Sequence, residues 1–223
     1  MLNAWSLGSF LIGYLLGSLP FGYLVARAHG VDICKAGSGN PGATNVKRVL
    51  GARAGYTVFA LDALKGAVAA GWPRFIRYRE TMLAFDTGKT TTLVDTMQIW
   101  HQLALLGLIG AVLGHSFSVF TKFKGGKGVA TAAGGVLVIM PVSCLIGGAV
   151  WIVTFYATRY VSLGSILAAV AVPTSSWLRG NPLPLNIAAT AVGLFVIVRH
   201  RENISRLLKG TESKFAKKPP TQP

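Results

Sequence analysis

The chain has 223 residues, a net charge of +15 and a mean hydropathy of +0.52, and only 13% of its residues are charged. This charged fraction is about half of the share usual in soluble globular domains, which excludes an ordinary soluble protein and predicts a polytopic membrane protein. The length allows one domain, so we expect residues 1–223 to form a single membrane-embedded unit. Because the basic residues cluster at the ends of apolar runs, anionic lipid head groups explain the positive charge better than nucleic acid does.

Three membrane spans are predicted in the first half of the chain. Residues 4–26 are uncharged and long enough to cross the hydrocarbon core, and they lack the basic start of a signal peptide. A loop follows at 27–53, and we expect the second span to end at Pro73. The stretch 74–98 is polar, and we expect it to be irregular. The predicted spans are 4–26, 54–72 and 99–120.

Four further helices are predicted in the second half. Residues 128–158 are uncharged but too long for one straight span, and Pro141 interrupts them, so we expect two short helices that meet near this proline. The sixth and seventh spans are predicted at 161–178 and 185–198. The tail is basic and ends in prolines, and we expect 214–223 to be disordered. The predicted fold class is therefore all-α, with seven transmembrane helices joined by glycine-rich loops.

Two of these loops have a composition typical of phosphate binding. The first glycine loop reads GSGNPGATNVKR at 37–48, and the second glycine loop reads KFKGGKG at 122–128. Such loops expose backbone N–H groups that can curl around an anion, with cations beside them to neutralise its charge. Taken singly, the glycines of 37–42 could form only a tight interhelical connection, and Lys124 and Lys127 could be only membrane anchors. Together the loops indicate a protein that handles phosphorylated molecules at a lipid surface.

The distribution of lysine and arginine predicts an orientation in the membrane. With seven spans, the loops 27–53, 121–127 and 159–160 share one side with the C-terminal tail and hold 16 basic residues, against five on the other side. The positive-inside rule therefore puts both glycine loops and the C-terminus in the cytoplasm and the N-terminus outside.

Two other motifs, one of phosphate binding and one of acyl transfer, are not matched by the sequence. The segment TGKTT at 87–91 resembles the end of a nucleotide-binding P-loop, but Leu83 stands where the first glycine of that motif belongs, so we expect no nucleotide there. None of the four histidines is followed by an aspartate at the fifth position. The H-x-x-x-x-D motif of the other large class of membrane acyltransferases is therefore absent.

Five segments, taken in order, resemble one family. They read GSLPFGY at 17–23, VDICKAGSGNPGATNVKRVLG at 31–51, GHSFSVFTKFKGGKGVAT at 114–131, RYVSLGS at 159–165 and RHRENISRLLKGTE at 199–212. They make the chain similar to the bacterial acyl-phosphate:glycerol-3-phosphate acyltransferases, the PlsY family, over nearly its whole length apart from 74–98. The resemblance implies transfer of an acyl group from acyl phosphate to the 1-hydroxyl of sn-glycerol 3-phosphate. The products would be lysophosphatidate and phosphate, in the first step of bacterial phospholipid synthesis.

The resemblance also implies a location and a set of site residues. Members of the family are multi-pass proteins of the bacterial cytoplasmic (inner) membrane, with the active site facing the cytoplasm. The expected catalytic residues are Lys127, Ser38, Arg48, His200 and Asn203. The expected substrate-binding residues are Gly37, Gly39, Asn40, Thr44, Asn45, Gly125, Gly126, Lys124 and Ser165. We expect no metal and no cofactor, because acyl phosphate is an activated mixed anhydride that needs only positioning and charge neutralisation.

Some roles stay open at the level of sequence. The proton of the attacking hydroxyl can pass to a phosphate oxygen of the acyl phosphate or to His200, whose ordinary pKa suits neutral pH. Asp62 and Lys65 lie inside a predicted span. They could form only an ion pair with each other, or they could give structural support to the site, and we favour the second role. His115 is expected to pack or to form a hydrogen bond rather than to react.

The chain also departs from the family pattern at two positions. Cys34 stands where an arginine is usual, and Ser118 replaces a common proline. Arg206 and Lys209 are expected to face lipid head groups. A rival interpretation is a small transporter or anion channel, but the polar residues gather at one membrane face, which favours an interfacial enzyme. Membrane lipid is an expected partner, and we expect a monomer or an oligomer of unknown size.

Single cysteines test the predicted orientation. In a background in which Cys34 and Cys144 are replaced by serine, Ala36→Cys and Lys122→Cys should resist a membrane-impermeant maleimide in intact cells, because both glycine loops are expected in the cytoplasm. Both should react after the cells are permeabilised. Ready labelling of both cysteines in intact cells would overturn the orientation.

Overall fold

The regular structure of the described residues is entirely helical. The computed structural model describes residues 4–86 and 93–215, with side chains at all of these except 75–86 and 93–97. The helices are α1 Ala4–Ser18, α2 Phe21–Ala28, α3 Ala43–Leu50, α4 Ala52–Asp86, α5 Leu93–Ser116, α6 Val129–Ile139, α7 Pro141–Thr158, α8 Val161–Leu178, α9 Leu183–Arg199 and α10 Arg201–Leu208, with a short 3₁₀ turn at Val119–Thr121. The expected all-α class is confirmed.

Several of these helices could cross a membrane by length and composition. Four stretches of the described chain qualify: Ala4–Ala28, Gln98–Thr121, Pro141–Thr158 and Val161–Leu178. Helices α9 and α10 make a fifth if the pair, bent by 58°, is taken as one span. Helix α4, which carries Asp62 and Lys65, is not among them, and α6 is shorter. The helices thus give four or five candidate spans in the described chain, fewer than the seven expected.

The first half of the chain differs from the expected pattern at three places. The first span breaks at Pro20, because proline lacks an N–H group and clashes with the preceding turn, so α1 and α2 are separate helices. The expected loop at 27–53 contains helix α3, which includes the second half of the first glycine loop. Helix α4 passes through Pro73 to Asp86 rather than ending there. Pro73 is fully buried, and the surrounding packing offsets the one lost hydrogen bond.

The stretch 74–98 is therefore helical where it is described. Residues 74–86 extend α4, and 93–98 begin α5, so the expectation of irregular structure was wrong for both parts. The P-loop-like segment 87–91 lies outside the described residues.

The second half follows the expected pattern closely. Helices α6 and α7 meet at Met140, with Pro141 in the first turn of α7, where a missing N–H group leaves no hydrogen bond unmade. Helix α8 has the expected bounds. At the C-terminal end, Phe215 donates its backbone N–H to the carbonyl of Arg159 at 3.0 Å. The start of the segment expected to be disordered is thus held against the protein, and 216–223 lie outside the described residues.

Helices α1 and α5 pack with their backbones in close contact. A Cβ added at Gly13 or Gly17 would lie 2.2 or 2.1 Å from a carbonyl oxygen of α5. In the other direction, a Cβ at Gly110 or Gly114 would lie 2.3 or 2.1 Å from a carbonyl oxygen of α1. The buried Ser9 hydroxyl donates to the carbonyl of Leu103 at 2.7 Å across the same interface. Small residues at a helix interface permit the close approach that drives association in lipid.

Two apolar clusters support the elements around the site. The larger one joins α5, α6 and α9 through buried residues such as Leu108, Val136 and Val192. The smaller one contains Ile33 and Val46, both fully buried, and lies beneath the first glycine loop. It packs α3 against α2 and α4, so the first glycine loop is anchored to these helices.

Two matched substitutions test the close packing of α1 and α5. Alanine is favoured over glycine in a helix by about 1 kcal/mol, and a Cβ at Gly8 meets nothing within 4 Å. Gly8→Ala should therefore leave the thermal unfolding midpoint unchanged or raise it. Gly110→Ala should lower the midpoint, because overpacking a close contact costs about 1–3 kcal/mol. The midpoints are measured in detergent micelles, and equal midpoints would contradict the packing.

Candidate active site

A polar cavity of about 370 Å³ opens where α3, α4, α8, α10 and the second glycine loop meet. Residues expected in the site from the sequence make up much of its lining: Ser38, Asn40, Thr44, Asn45, Arg48, Lys127, Ser165, His200 and Asn203. Other polar side chains of the lining are Asp62, His115, Ser162, Arg206, Glu212 and Ser213. The structure therefore brings residues from both glycine loops and from the C-terminal motif to one place.

The Asn45 side chain holds the first glycine loop in shape. Its Oδ1 accepts a hydrogen bond from the backbone N–H of Ser38 at 2.8 Å, and its Nδ2 donates to the carbonyl of Ala36 at 2.9 Å. Gly37 lies between them with a φ of 58°, and a Cβ there would lie 2.3 Å from Asn45 Oδ1. Only glycine fits this position. Gly37 and Gly39 therefore shape the loop from outside the cavity lining, and Ser38 reaches the cavity.

The second glycine loop contributes only part of its length to the polar cavity. Lys127 and Gly128 line it, at the N-terminus of α6. Lys124, Gly125 and Gly126, which the sequence analysis assigned to substrate binding, line a separate cavity of about 20 Å³. The structure thus places these three residues outside the lining of the polar cavity, as it does Gly37 and Gly39.

A chain of hydrogen bonds connects Lys127 to α8 and α10. The Lys127 Nζ donates to the Oδ1 of Asn203, and the Asn203 Nδ2 donates to Oε1 of Glu212 at 2.7 Å. Glu212 also accepts from the Ser162 hydroxyl at 2.6 Å and from Nε of Arg206 at 2.7 Å. These bonds orient the Asn203 amide so that its oxygen, a neutral acceptor, faces the ammonium group.

The charges around the cavity leave two cations without a carboxylate partner. Asp62 pairs with Lys65, and Glu212 pairs with Arg206. Within the described part of the chain, neither Lys127 nor Arg48 forms an ion pair with a carboxylate. These two side chains are therefore available to an anionic ligand in the cavity.

Lys127 titrates close to physiological pH. Its burial, reinforced by the positive charge of Arg206, lowers the pKa of Lys127 to about 8. The ammonium is therefore mostly charged at neutral pH, and it loses its proton as the pH rises through this value.

His200 is held as a neutral imidazole with a defined tautomer. It is buried in the turn between α9 and α10, and its Nδ1 lies 2.8 Å from the carbonyl oxygen of Val196. A carbonyl accepts only, so Nδ1 carries the proton and Nε2 carries the free lone pair. Burial lowers the pKa of His200 to about 4, so the ring stays uncharged at neutral pH.

Ser165 lies at the boundary between the polar cavity and an apolar cavity of about 380 Å³. Its hydroxyl donates to the carbonyl of Val161 at 2.9 Å and accepts from the indole N–H of Trp151 at 3.2 Å. Phe59 and Val129 also line both cavities. Much of the apolar lining comes from α6, α7, α8 and α9. The two cavities therefore adjoin, one polar and one apolar.

The structure also adds residues that the sequence analysis did not assign to the site. Arg206 was expected to face lipid head groups, but it lines the polar cavity and pairs with Glu212. Glu212 stands at the end of the fifth family-like segment, which is the signal that could have identified it. Arg199 holds the second glycine loop, since its Nη2 donates to the carbonyl of Gly126 at 3.0 Å.

Neither departure from the family pattern removes a residue that lines the cavity. Cys34 is exposed, and its backbone N–H donates to Oδ1 of Asp32 at 3.1 Å. The buried Ser118 hydroxyl donates to the carbonyl of Ser18 at 2.6 Å and accepts from the N–H of Phe120 at 3.2 Å. Ser118 thereby caps the 3₁₀ turn and ties it to the end of α1.

Apolar helices around a cationic polar cavity define a membrane protein that acts on anionic molecules at a lipid surface. A model of the family described as glycerol-3-phosphate acyltransferase matches residues 7–210 of the chain. The chain belongs to this family, and it is an integral membrane acyltransferase.

Individual relatives cover almost the whole chain. The chain is 42% identical to the glycerol-3-phosphate acyltransferase of Trichlorobacter lovleyi over 202 residues, which is 91% of this chain and 93% of the relative. It is 42% identical to that of Aquifex aeolicus over 205 residues, covering 92% and 96% of the two chains.

Two crystal structures of PlsY, an integral membrane glycerol 3-phosphate acyltransferase, are similar to this fold. One is its glycerol 3-phosphate form, with a TM-score of 0.78 and coverage of 95% of this chain and 96% of that chain. The other is its lysophosphatidic acid form, with a TM-score of 0.76 and coverage of 95% of both chains. Each shares 39% sequence identity with this protein.

The pKa of Lys127 predicts how activity depends on pH. The charged form predominates below about pH 8, so kcat/KM should fall as the pH rises through this value, approaching tenfold per further unit if the neutral amine is inactive. Lys127→Arg should move the falling limb to a higher pH, because a guanidinium keeps its charge. Lys127→Ala should lower the rate by about 10²–10³ and abolish the limb.

Initial rates of acyl transfer from pH 6 to pH 10 in detergent micelles measure this dependence, with monodispersity checked for each variant. A falling limb that is the same in the wild-type protein and in Lys127→Arg would show that another group is responsible.

Proposed function

We propose that this protein transfers an acyl group from acyl phosphate to the 1-hydroxyl of sn-glycerol 3-phosphate, releasing lysophosphatidate and inorganic phosphate. The observation that carries the proposal is the pair Lys127 and Arg48. Both cations face one polar cavity without a carboxylate partner in the described chain, and that cavity adjoins an apolar one. Both proposed substrates carry phosphate, and one also carries a fatty chain. The two cavities match that combination.

Two helix N-termini add to the anion-binding character of the polar cavity. Helix α3 begins at Ala43 beside Ser38 and Thr44, and α6 begins at Val129 beside Lys127. The first N–H groups of a helix point away from it, and the helix dipole favours negative charge there. Two such ends around one cavity support simultaneous binding of two phosphate groups, one from each substrate.

The apolar cavity suits the acyl chain of the donor. It runs from Ser165 and Phe59, at the boundary with the polar cavity, along the small residues Gly147 and Gly148 of α7. Burial of a chain there would contribute about 0.8 kcal/mol per methylene group. The reactive carbonyl would then lie near Ser165, with its phosphate on the Lys127 side.

The transfer itself needs no covalent intermediate in this arrangement. The 1-hydroxyl oxygen of glycerol 3-phosphate attacks the acyl carbonyl carbon, and the bond from that carbon to the phosphate oxygen breaks. The Lys127 ammonium stabilises the negative charge that moves onto the departing phosphate. The neutral His200 can accept a hydrogen bond from the attacking hydroxyl through Nε2, but the low pKa of His200 makes it a weak base. We therefore assign the hydroxyl proton to the released phosphate.

The arrangement in the membrane is part of the same proposal. We propose seven spans, with the N-terminus outside and the polar cavity open to the cytoplasm of a bacterial inner membrane. Lys122, Arg159 and Arg201 lie at the same end of the helices as the cavity-lining Arg48 and Lys127, and cytoplasmic ends are the basic ones.

The donor is tested by offering the purified protein three forms of the same palmitoyl group. With glycerol 3-phosphate present, palmitoyl phosphate should be turned over, and palmitoyl-CoA and palmitoyl acyl carrier protein should not. The reasons are that we propose a phosphate leaving group beside Lys127 and that the chain lacks H-x-x-x-x-D. Lysophosphatidate formation is the measurement, with omission of glycerol 3-phosphate as the control. Comparable turnover with palmitoyl-CoA would contradict the assignment of acyl phosphate as the donor.

A second arm of that experiment tests the apolar cavity. Open space lies where Gly148 would carry a Cβ, so Gly148→Leu fills part of the cavity without a backbone clash. The variant should lose more activity with palmitoyl phosphate than with octanoyl phosphate. Equal losses with both donors would place the acyl chain elsewhere.

A further inference from the structure

A buried charged cluster forms part of the wall of the polar cavity, which Asp62 and His115 line. Lys65 Nζ lies 2.8 Å from Oδ1 of Asp62, and both side chains are 3% exposed. Nδ1 of His115, at the end of α5, lies 3.5 Å from the same carboxylate oxygen. Lys65 also donates to the carbonyl of Leu19 at 2.8 Å, where the chain breaks between α1 and α2. The cluster therefore joins α4, α5 and the break after α1.

The second glycine loop rests on His115. The N–H of Gly126 donates to the carbonyl of His115 at 3.1 Å. A Cβ at Gly125 would lie 2.1 Å from that carbonyl oxygen, and a Cβ at Gly126 would lie 2.2 Å from Nε2 of the His115 ring. The glycine pair therefore permits the loop backbone to lie on the histidine, while Arg199 holds the Gly126 carbonyl at 3.0 Å.

Lys127 directly follows Gly126 in the chain, so the contact between Gly126 and His115 bears on the position of Lys127. We propose that His115, oriented by the Asp62 carboxylate, is a positioning residue that sets the second glycine loop and thereby the place of the Lys127 ammonium. The inference rests on the proposed role of Lys127 but not on the identity of the acyl donor. Displacement of a catalytic group by about 1 Å can lower a rate by about 10², so loss of the His115 contact should be visible in kcat.

A double-mutant cycle between His115 and Lys127 tests the inference. His115→Ala should lower kcat by about 10², and Lys127→Ala by about 10²–10³. If His115 acts through Lys127, the kcat of the double variant should be at most about threefold below the kcat of Lys127→Ala, because the ammonium that His115 positions is already absent. His29→Ala is the matched control and should keep the wild-type kcat. His29 is exposed and lines none of the three cavities described above.

The acidic side of the cluster supplies a second variant. Asp62→Asn alone would leave Lys65 buried without its ion-pair partner, which destabilises the fold, so Asp62→Asn is combined with Lys65→Met. This paired variant should fold, should lower kcat as His115→Ala does, and should also be non-additive with Lys127→Ala. It carries the test if His115→Ala is not monodisperse.

The outcomes distinguish a positioning role of His115 from a merely structural role, and both from an error in the proposed acyl donor. The assay uses whichever donor the wild-type protein turns over, so failure with acyl phosphate affects the proposed function and not this inference. Losses that multiply in the double variant, to about 10⁴–10⁵ overall, would overturn the inference. So would wild-type kcat in folded His115→Ala.

Discussion

The hydrogen bond from the Lys127 ammonium to the Asn203 amide oxygen is the interaction on which the site depends. It joins the second glycine loop to α10, and Glu212 holds the amide from the other side. A partly buried cation needs polar neighbours, because desolvation of an isolated charge is costly. A carboxylate at this position would neutralise the lysine permanently. A neutral acceptor stabilises the ammonium while leaving its charge available to a phosphate.

The same requirement explains the distribution of acidic residues around the cavity. Both carboxylates line the cavity, but Asp62 contacts Lys65 and His115, and Glu212 contacts Arg206 and Asn203. Each carboxylate therefore supports the structure without cancelling the positive potential that the two proposed anionic substrates would require. A fatty chain has the opposite requirement, and the adjoining cavity is lined mostly by apolar residues of α6, α7, α8 and α9.

Hydropathy and proline positions predicted much of the helical structure, because burial of apolar segments and the chemistry of proline are local properties. The break at Pro141 and the bounds of α8 were predicted for this reason. Pro73 was not, because a buried proline can remain inside a helix when tertiary packing holds both halves together. Helix α3 was also missed, since glycine and asparagine at its start conceal a short amphipathic helix.

The site residues divide in a similar way. The resemblance to a known family named many of the side chains that line the cavity, among them Ser38, His200 and Asn203. Spacing in the sequence cannot distinguish a glycine that approaches a ligand from one that packs on a neighbouring side chain. Gly125 and Gly126 were interpreted in the first sense, and the structure places them against His115. The contact depends on the end of α5, which is close in space but is not implied by the loop sequence.

Initial-rate kinetics test most directly the claim that both substrates meet in one cavity and react without a covalent intermediate. The rate is measured with acyl phosphate and glycerol 3-phosphate varied against each other. We expect intersecting lines in double-reciprocal plots, as a ternary complex requires, with no phosphate released when glycerol 3-phosphate is omitted. Parallel lines, with a burst of phosphate and an acylated protein in the absence of the acceptor, would contradict it.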